Sequence, residues 1–227
     1  MWRTAFVGSR LEAVRVAIAG GHGQIALRLA KILSERGDDV VGLIRNPDHA
    51  DDLKQAGAEP AVVDLEQASE DEVARAISES DAVVFSAGAG PGSGPARKDT
   101  MDYGGAVKLI AAAKQAGVRR YVIVSSMGAN PDAPGDDTFS VYLRAKGRAD
   151  DAVRESGLDA TVVRPGTLTN DAGTRRVRLA ESVPRGRVPR DDVAAVLAAV
   201  LDSPNSIGKT VDLIGGDTPV AEAVKAI

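Results

Sequence analysis

The sequence contains no cysteine. Disulfides, thiolate nucleophiles, cysteine-ligated zinc and iron–sulfur clusters are therefore excluded. Histidine is nearly as scarce, with only His22 and His49, so no metal centre is expected. Aromatic residues make up 3% of the chain, which removes base-stacking platforms and aromatic membrane belts. No apolar run approaches the ~18 residues of a membrane span. Positive charge is not in excess either, since the formal net charge is −4. A binder that neutralises phosphates of nucleic acid needs the opposite balance. Neither nucleic acid nor membrane is expected as a partner. Residues 1–13 carry only a short apolar patch, Ala5-Phe6-Val7, between Arg3 and Arg10. A signal peptide needs a longer apolar stretch. These residues are expected to form an N-terminal extension that frays, and the chain is expected to be cytoplasmic.

What is present is an ordinary globular composition, 44% hydrophobic and 26% charged over 227 residues, suited to one large domain. Short apolar runs alternate with amphipathic segments. Strands are predicted over 14–19, 40–44, 61–63, 82–85, 121–124 and 160–163. Helices are predicted over 24–36, 48–56, 70–78, 101–116 and 140–156. Such alternation predicts an α/β fold, a doubly wound parallel sheet with helices on both faces. Beyond these, 174–179 reads as an edge strand, 191–201 as a helix, 210–213 as a strand and 220–226 as a last helix. A single domain over 14–227 is expected, with a small C-terminal substrate-side portion over about 166–227.

The first turn reads Gly20-Gly21-His22-Gly23-Gln24-Ile25-Ala26. It follows a predicted strand and opens a predicted helix, the context in which Gly-x-Gly-x-x-Ala binds a dinucleotide. The first glycines permit the tight turn, Gly23 lets a pyrophosphate approach the backbone, and Ala26 lets the helix lie close to the sheet. The anion would sit on the free N–H groups of the helix N-terminus. An NAD site usually carries an acidic residue at the end of the second strand. Here that place holds Arg45, which can meet a 2′-phosphate with two hydrogen bonds or stand as a solvated surface arginine. NADP is the expected cofactor, with NAD as the alternative. Asp64 and Leu65, after the third strand, can meet the adenine amine. His22 can bond a phosphate or face solvent.

Tyr142 and Lys146 are four apart on a predicted helix and share a face. That helix follows a strand ending Val124-Ser125-Ser126-Met127. A serine there and a Tyr-x-x-x-Lys on the next helix can converge at one site. The phenol would supply a proton to a carbonyl. Lys146 would lower the phenol pKa and could hold the cofactor ribose, and Ser126 would orient the carbonyl oxygen.

With these residues in place, the sequence resembles the short-chain dehydrogenase/reductase superfamily, in its atypical branch of compact NAD(P)H-binding proteins. The resemblance covers about residues 14–227. It rests on the glycine turn, Asp102-Tyr103-Gly104-Gly105-Ala106, the segment from Gly117 to Ser126, Tyr142-Leu143-Arg144-Ala145-Lys146, Arg164-Pro165-Gly166 and Arg190-Asp191-Asp192-Val193-Ala194. It implies a Rossmann-type fold with Ser126, Tyr142 and Lys146 as catalytic residues, and Ser125 as the alternative serine. It implies that Pro165 and Gly166 lie against the nicotinamide and that Ala87 and Gly88 lie beside the adenosine half. Extended members carry a larger C-terminal substrate domain than the roughly sixty residues after Gly166, so a small-molecule substrate is expected.

Three functions fit. The first is an NAD(P)H-dependent oxidoreductase acting on a small carbonyl, quinone or flavin-like compound. The second is a cofactor-sensing regulator without turnover. The third is an epimerase or dehydratase that retains its cofactor. A homodimer is compatible with all three. The loop Gly88 to Lys98 is glycine-rich, and the loop Met127 to Thr138 carries Asp132, Asp136 and Asp137. The second loop reads as a solvated lid rather than a cation site. The arginines between 174 and 190 can attract an anion or form a solvated edge.

Overall fold

The computed structural model describes residues 13–90 and 92–227; the expected extension lies outside them except for Ala13. The chain starts with β1 (Arg15–Ala19), α1 (Gln24–Glu35) and β2 (Asp39–Ile44). A 3-10 turn (Pro47–His49) leads into α2 (Ala50–Gln55), β3 (Glu59–Val62), α3 (Glu70–Ala76) and β4 (Ala82–Phe85). β3 starts two residues earlier than predicted and includes Pro60. It lies at the sheet edge, where a missing N–H leaves no partner unpaired.

The helix expected over 101–116 begins earlier, as a short α4 (Pro95–Arg97). It widens into a π-helical turn over Lys98–Gly105 and continues as α5 (Ala106–Ala116). The Gly104-Gly105 pair, poor in helix propensity, sits where the wide turn hands over to the regular helix. β5 (Arg120–Val124), α6 (Thr138–Glu155) and β6 (Asp159–Pro165) follow. The rest comprises β7 (Thr167–Thr169), β8 (Arg176–Ala180), β9 (Arg187–Pro189), α7 (Arg190–Leu201), β10 (Thr210–Gly215), β11 (Thr218–Pro219) and α8 (Val220–Lys225).

Among the described residues nine strands form the sheet, in the order β11-β8-β10-β6-β5-β4-β1-β2-β3. From β10 to β3 every pairing is parallel, and only β8 runs against its neighbours. The fold is therefore the expected doubly wound, Rossmann-like layout with one reversed strand. β7 and β9 pair separately as a small parallel ribbon.

Residues 174–179 are not an edge strand as predicted. Thr174 and Arg175 are held in a turn by the Asp192 carboxylate, which accepts both backbone N–H groups at 3.0 and 2.7 Å. The strand starts only at Arg176 and lies inside the sheet, with β11 beyond it.

Both faces of the sheet are covered, so its central strands read as near-continuous apolar runs rather than alternations. Val16 and Ile18 of β1 face a core shared with α1 and α7. Ala17 and Ala19 face a second core shared with α3, α5 and α6. No described helix is long and apolar enough to cross a membrane.

Candidate active site

Two adjoining cavities, of about 640 and 680 Å³, share Gly23, Gln24 and the segment Ser86 to Gly90. They form one cleft over the C-terminal ends of β1 and β4. The strand order reverses between these two strands, and open α/β sheets bind ligands at such a point.

The glycine turn forms the floor. Gly20 has φ +80°, and a Cβ there would stand 2.6 Å from the Ala87 Cα. Only glycine allows the turn to lie this close to the end of β4. Gly21 faces β2 instead; it donates to the Leu43 carbonyl at 2.9 Å, and a Cβ would meet Gly42 at 2.8 Å. Gly23 donates to the Gly20 carbonyl at 2.8 Å. Helix α3 has a Ser69/Glu72 capping box, and α6 is capped by Asp137. Helix α1 begins at Gly23 with no side-chain cap. Its first amides are left at the cleft, where an anion satisfies them and meets the positive end of the helix. This is a cradle that fits a dinucleotide diphosphate.

The first cavity lies on the β2 and β3 side of the glycine turn. His22, Arg45, Asp64, Leu65, Ala87 and Gly88, all candidate cofactor residues, line it. His49, Arg97 and Met101 join them and were not foreseen. His22 and His49 stack with ring centroids 3.6 Å apart, and His22 Nε2 lies 2.7 Å from Asp52 Oδ2. Arg45 is exposed, and its charge helps hold the Glu66 carboxyl below its usual range. Arg97 is paired with Glu66 at 2.8 Å. One Asp64 oxygen accepts the Glu66 N–H at 2.9 Å, which shapes the turn after β3.

The second cavity contains Gln24, Ile25, Ser125, Tyr142 and Lys146. Lys146 is 3% exposed. Its ammonium donates to the Val124 carbonyl at 3.1 Å and lies 3.3 Å from Asp102 Oδ1. It stands 5.9 Å from the Tyr142 ring centroid. Burial works to lower the Lys146 pKa, but the negative charge of an ionised Tyr142 oxygen and of the Asp102 and Asp150 carboxylates outweighs it and holds the ammonium above its usual range.

Asp150 continues the Tyr142–Lys146 face by one more turn and is 0% exposed. It accepts from Arg164 Nε at 2.8 Å. Burial pushes its carboxyl up, opposed by Ser125, Arg164 and Lys146. Neither Asp102 nor Asp150 was foreseen as a site residue. The signal for Asp150 was its i+4 step from Lys146; for Asp102 it was only its place in a recognisable motif.

Ser126, Pro165 and Gly166 do not line the cleft. The Ser126 hydroxyl turns to the Met127 carbonyl at 3.4 Å, and Ser125 is the serine on the cleft wall. The Pro165 carbonyl accepts from Met127 N–H at 2.9 Å, and Gly166 packs against Gly186, where a Cβ would stand 2.4 Å from its carbonyl oxygen. The loop expected as a lid is fastened along α6. Asn130 N–H donates to the Leu143 carbonyl at 3.1 Å and Arg144 to the Ala133 carbonyl at 2.7 Å. A third cavity, of about 630 Å³, lies at the opposite ends of the strands, between Val14, Asp81 and Arg120, and contains none of the expected site residues. No cluster of potential metal ligands occurs among the described residues.

Comparison with known proteins agrees with this geometry. The uncharacterized sugar epimerase YhfK of Bacillus subtilis is 37% identical over 215 residues, covering 94% of this chain and all of that protein. The UPF0659 protein YMR090W of Saccharomyces cerevisiae is 31% identical, covering 96% of this chain and all of the other. A solved structure from Bacillus halodurans, described as an NAD-dependent epimerase/dehydratase, superposes with a TM-score of 0.88 at 36% identity, covering 95% of this chain and all of that one. The oxidoreductase ylbE from Lactococcus lactis superposes with a TM-score of 0.82 at 25% identity, over 94% and 96% of the two chains. Residues 20–204 match the NAD(P)H-binding family. Through its glycine turn, its cleft and these relatives, the chain belongs to that NAD(P)H-binding family and is similar to atypical short-chain dehydrogenases/reductases.

Proposed function

We propose that the protein is an NADP(H)-dependent oxidoreductase acting on a small carbonyl, quinone or flavin-like molecule, with Tyr142 as its acid/base. The observation that carries this reading is the placement of Tyr142, Lys146 and Asp102 on the wall of the cleft whose floor is the glycine turn. When bound, the nicotinamide cofactor supplies or accepts the hydride. Gly20, Gly23, Gln24 and Ile25 would hold its diphosphate, Arg45 its 2′-phosphate, and Asp64 with Leu65 its adenine.

The Tyr142 hydroxyl gives its proton to the carbonyl oxygen as that oxygen gains negative charge. The phenolate left behind is stabilised by the Lys146 ammonium, which Asp102 and the Val124 carbonyl hold in place. Ser125 lines the same wall with its hydroxyl buried beside Asp150, and it would have to turn outward to orient the carbonyl oxygen. In the oxidative direction the same phenolate takes the proton back.

Replacing Tyr142 by Phe removes the proton and leaves the cofactor cradle intact. NADPH-dependent turnover across a panel of carbonyls and quinones is expected to fall by about 10²- to 10⁴-fold, with NADPH affinity unchanged. Turnover equal to wild type would remove Tyr142 from the mechanism.

A second reading is a sugar epimerase or dehydratase that keeps its cofactor, favoured by the names of the Bacillus relatives. It uses the same residues. Cofactor that co-purifies in stoichiometric amount, without net NADPH consumption, would favour it.

A further inference from the structure

Most cations around the cleft have a carboxylate partner. Arg28 pairs with Asp191, Arg97 with Glu66, Arg148 with Asp99, Arg164 with Asp150 and Lys146 with Asp102. Two cations lining the half that contains Tyr142 do not. Lys98 Nζ donates to the Gly90 carbonyl at 2.9 Å, and Arg190 donates to the Asn170 side-chain carbonyl at 2.8 Å. Both acceptors are neutral, and neither cation is in an ion pair among the described residues. Among the described residues along this half of the cleft, Asp102 is the one carboxylate in the lining, against Lys98, Lys146 and Arg190. Since Asp102 is taken up by Lys146, the field on a bound molecule is positive.

The same wall has an apolar side. Phe139 is 60% exposed, although a phenylalanine gains most from burial. Its ring lies 6.0 Å from that of Tyr142, and Leu168 lines the same cavity. Lys98 stands 5.5 Å from the Tyr142 ring centroid. A flat apolar surface and an unpaired ammonium thus flank the phenol. Neither cation belongs to the Tyr142–Lys146 pair, and neither is needed for proton transfer.

We infer that the substrate is an anionic carbonyl compound, with a flat apolar body against Phe139 and Leu168 and a carboxylate held by Lys98 and Arg190. The inference rests on the reading that this half of the cleft receives the substrate. A carboxylate paired with an ammonium and a guanidinium gains charge-assisted hydrogen bonds that a neutral isostere cannot make. It also approaches a positively charged cleft faster.

The test is a calorimetric titration of the full chain, with and without NADP⁺, using two unreactive probes. 2-Naphthoate has the carboxylate, and 2-naphthamide is its neutral isostere. Naphthoate is expected to bind about a hundredfold more tightly than naphthamide, the worth of two charge-assisted hydrogen bonds. Lys98→Gln and Arg190→Gln are each expected to erode that preference by about tenfold, leaving naphthamide and NADP⁺ affinities unchanged. Equal affinity for the two probes, or uptake of neither, overturns the inference. So does a preference that survives in the double variant. Weakened NADP⁺ binding in the variants with naphthoate binding unchanged also overturns it, because the cations then serve the cofactor phosphates. Failure of the oxidoreductase reading shows separately, as no NADPH consumption with phenylglyoxylate or any other carbonyl while the naphthoate preference persists.

Discussion

Lys146, Asp102, Asp150 and Arg164 place four ionisable groups behind one phenol, two of them completely or almost completely buried carboxylates. Charges removed from water persist only when paired. The pairing here is directional: Asp102 and the Val124 carbonyl hold the ammonium, and Arg164 holds Asp150. The folded-state pKa of Asp150 is raised above its ordinary value of 3.8. Its contribution to stability is therefore fully present below pH 3.8 and is lost as pH rises through the folded value. Urea unfolding of wild type and Asp150→Asn between pH 3.5 and 7 should show the stability difference moving against wild type as pH rises. A difference independent of pH would show that Asp150 titrates as in the unfolded chain.

Arg45 gives a second prediction at this scale. Its guanidinium is exposed and lines the first cavity. Arg45→Ala should weaken NADP⁺ binding about tenfold or more and leave NAD⁺ nearly unchanged. Equal affinity for the two cofactors in wild type and variant would defeat the NADP assignment. Placements that follow from local spacing were legible in the sequence, namely Tyr142 beside Lys146, the glycine turn before α1 and Arg45 after β2. Those that depend on long-range contact were not. The choice of Ser125 over Ser126 for the cleft wall depends on how β5 ends against β6, and the Asp102–Lys146 contact crosses from the π-helical turn to α6.

At the scale of elements, the strand–helix alternation was enough to predict the doubly wound sheet, because parallel strands covered on both faces are apolar throughout. The departures have local causes. Proline is tolerated in β3 because β3 is an edge, and Asp192 holds residues 174 and 175 out of β8. The π-helical turn left no periodic signal, since it carries two glycines and few apolar residues.

The loop after β5 shows the same limit. Its prolines and aspartates read as a mobile lid, yet a Cβ on Gly147 would stand 2.2 Å from the Pro131 nitrogen, so the loop backbone lies directly on α6. Gly147→Ala must push that loop away. It should destabilise the protein by at least ~2 kcal/mol, read as a lower urea midpoint. An unchanged midpoint would mean that the loop is free to move off the helix.

Across the whole molecule, the sheet reversal between β1 and β4 aligns the two halves of the cleft. One half is lined by Arg45, the other by Tyr142, Lys98 and Arg190. The C-terminal elements β8, β10, β11 and α8 extend and cover the sheet rather than forming a separate lobe over the cleft. The space for a substrate is therefore bounded by Thr138, Phe139, Leu168 and Arg190, which favours a small molecule.

The proposed oxidoreductase activity requires that the uncapped start of α1 and the glycine turn bind a dinucleotide. Isothermal calorimetry of the purified protein with NADPH measures this directly. A single saturable site per chain is predicted, lost when Gly20→Val fills the space against Ala87 in a variant whose folding is verified by circular dichroism. No heat of binding with either NADPH or NADH would contradict the account and leave only the fold.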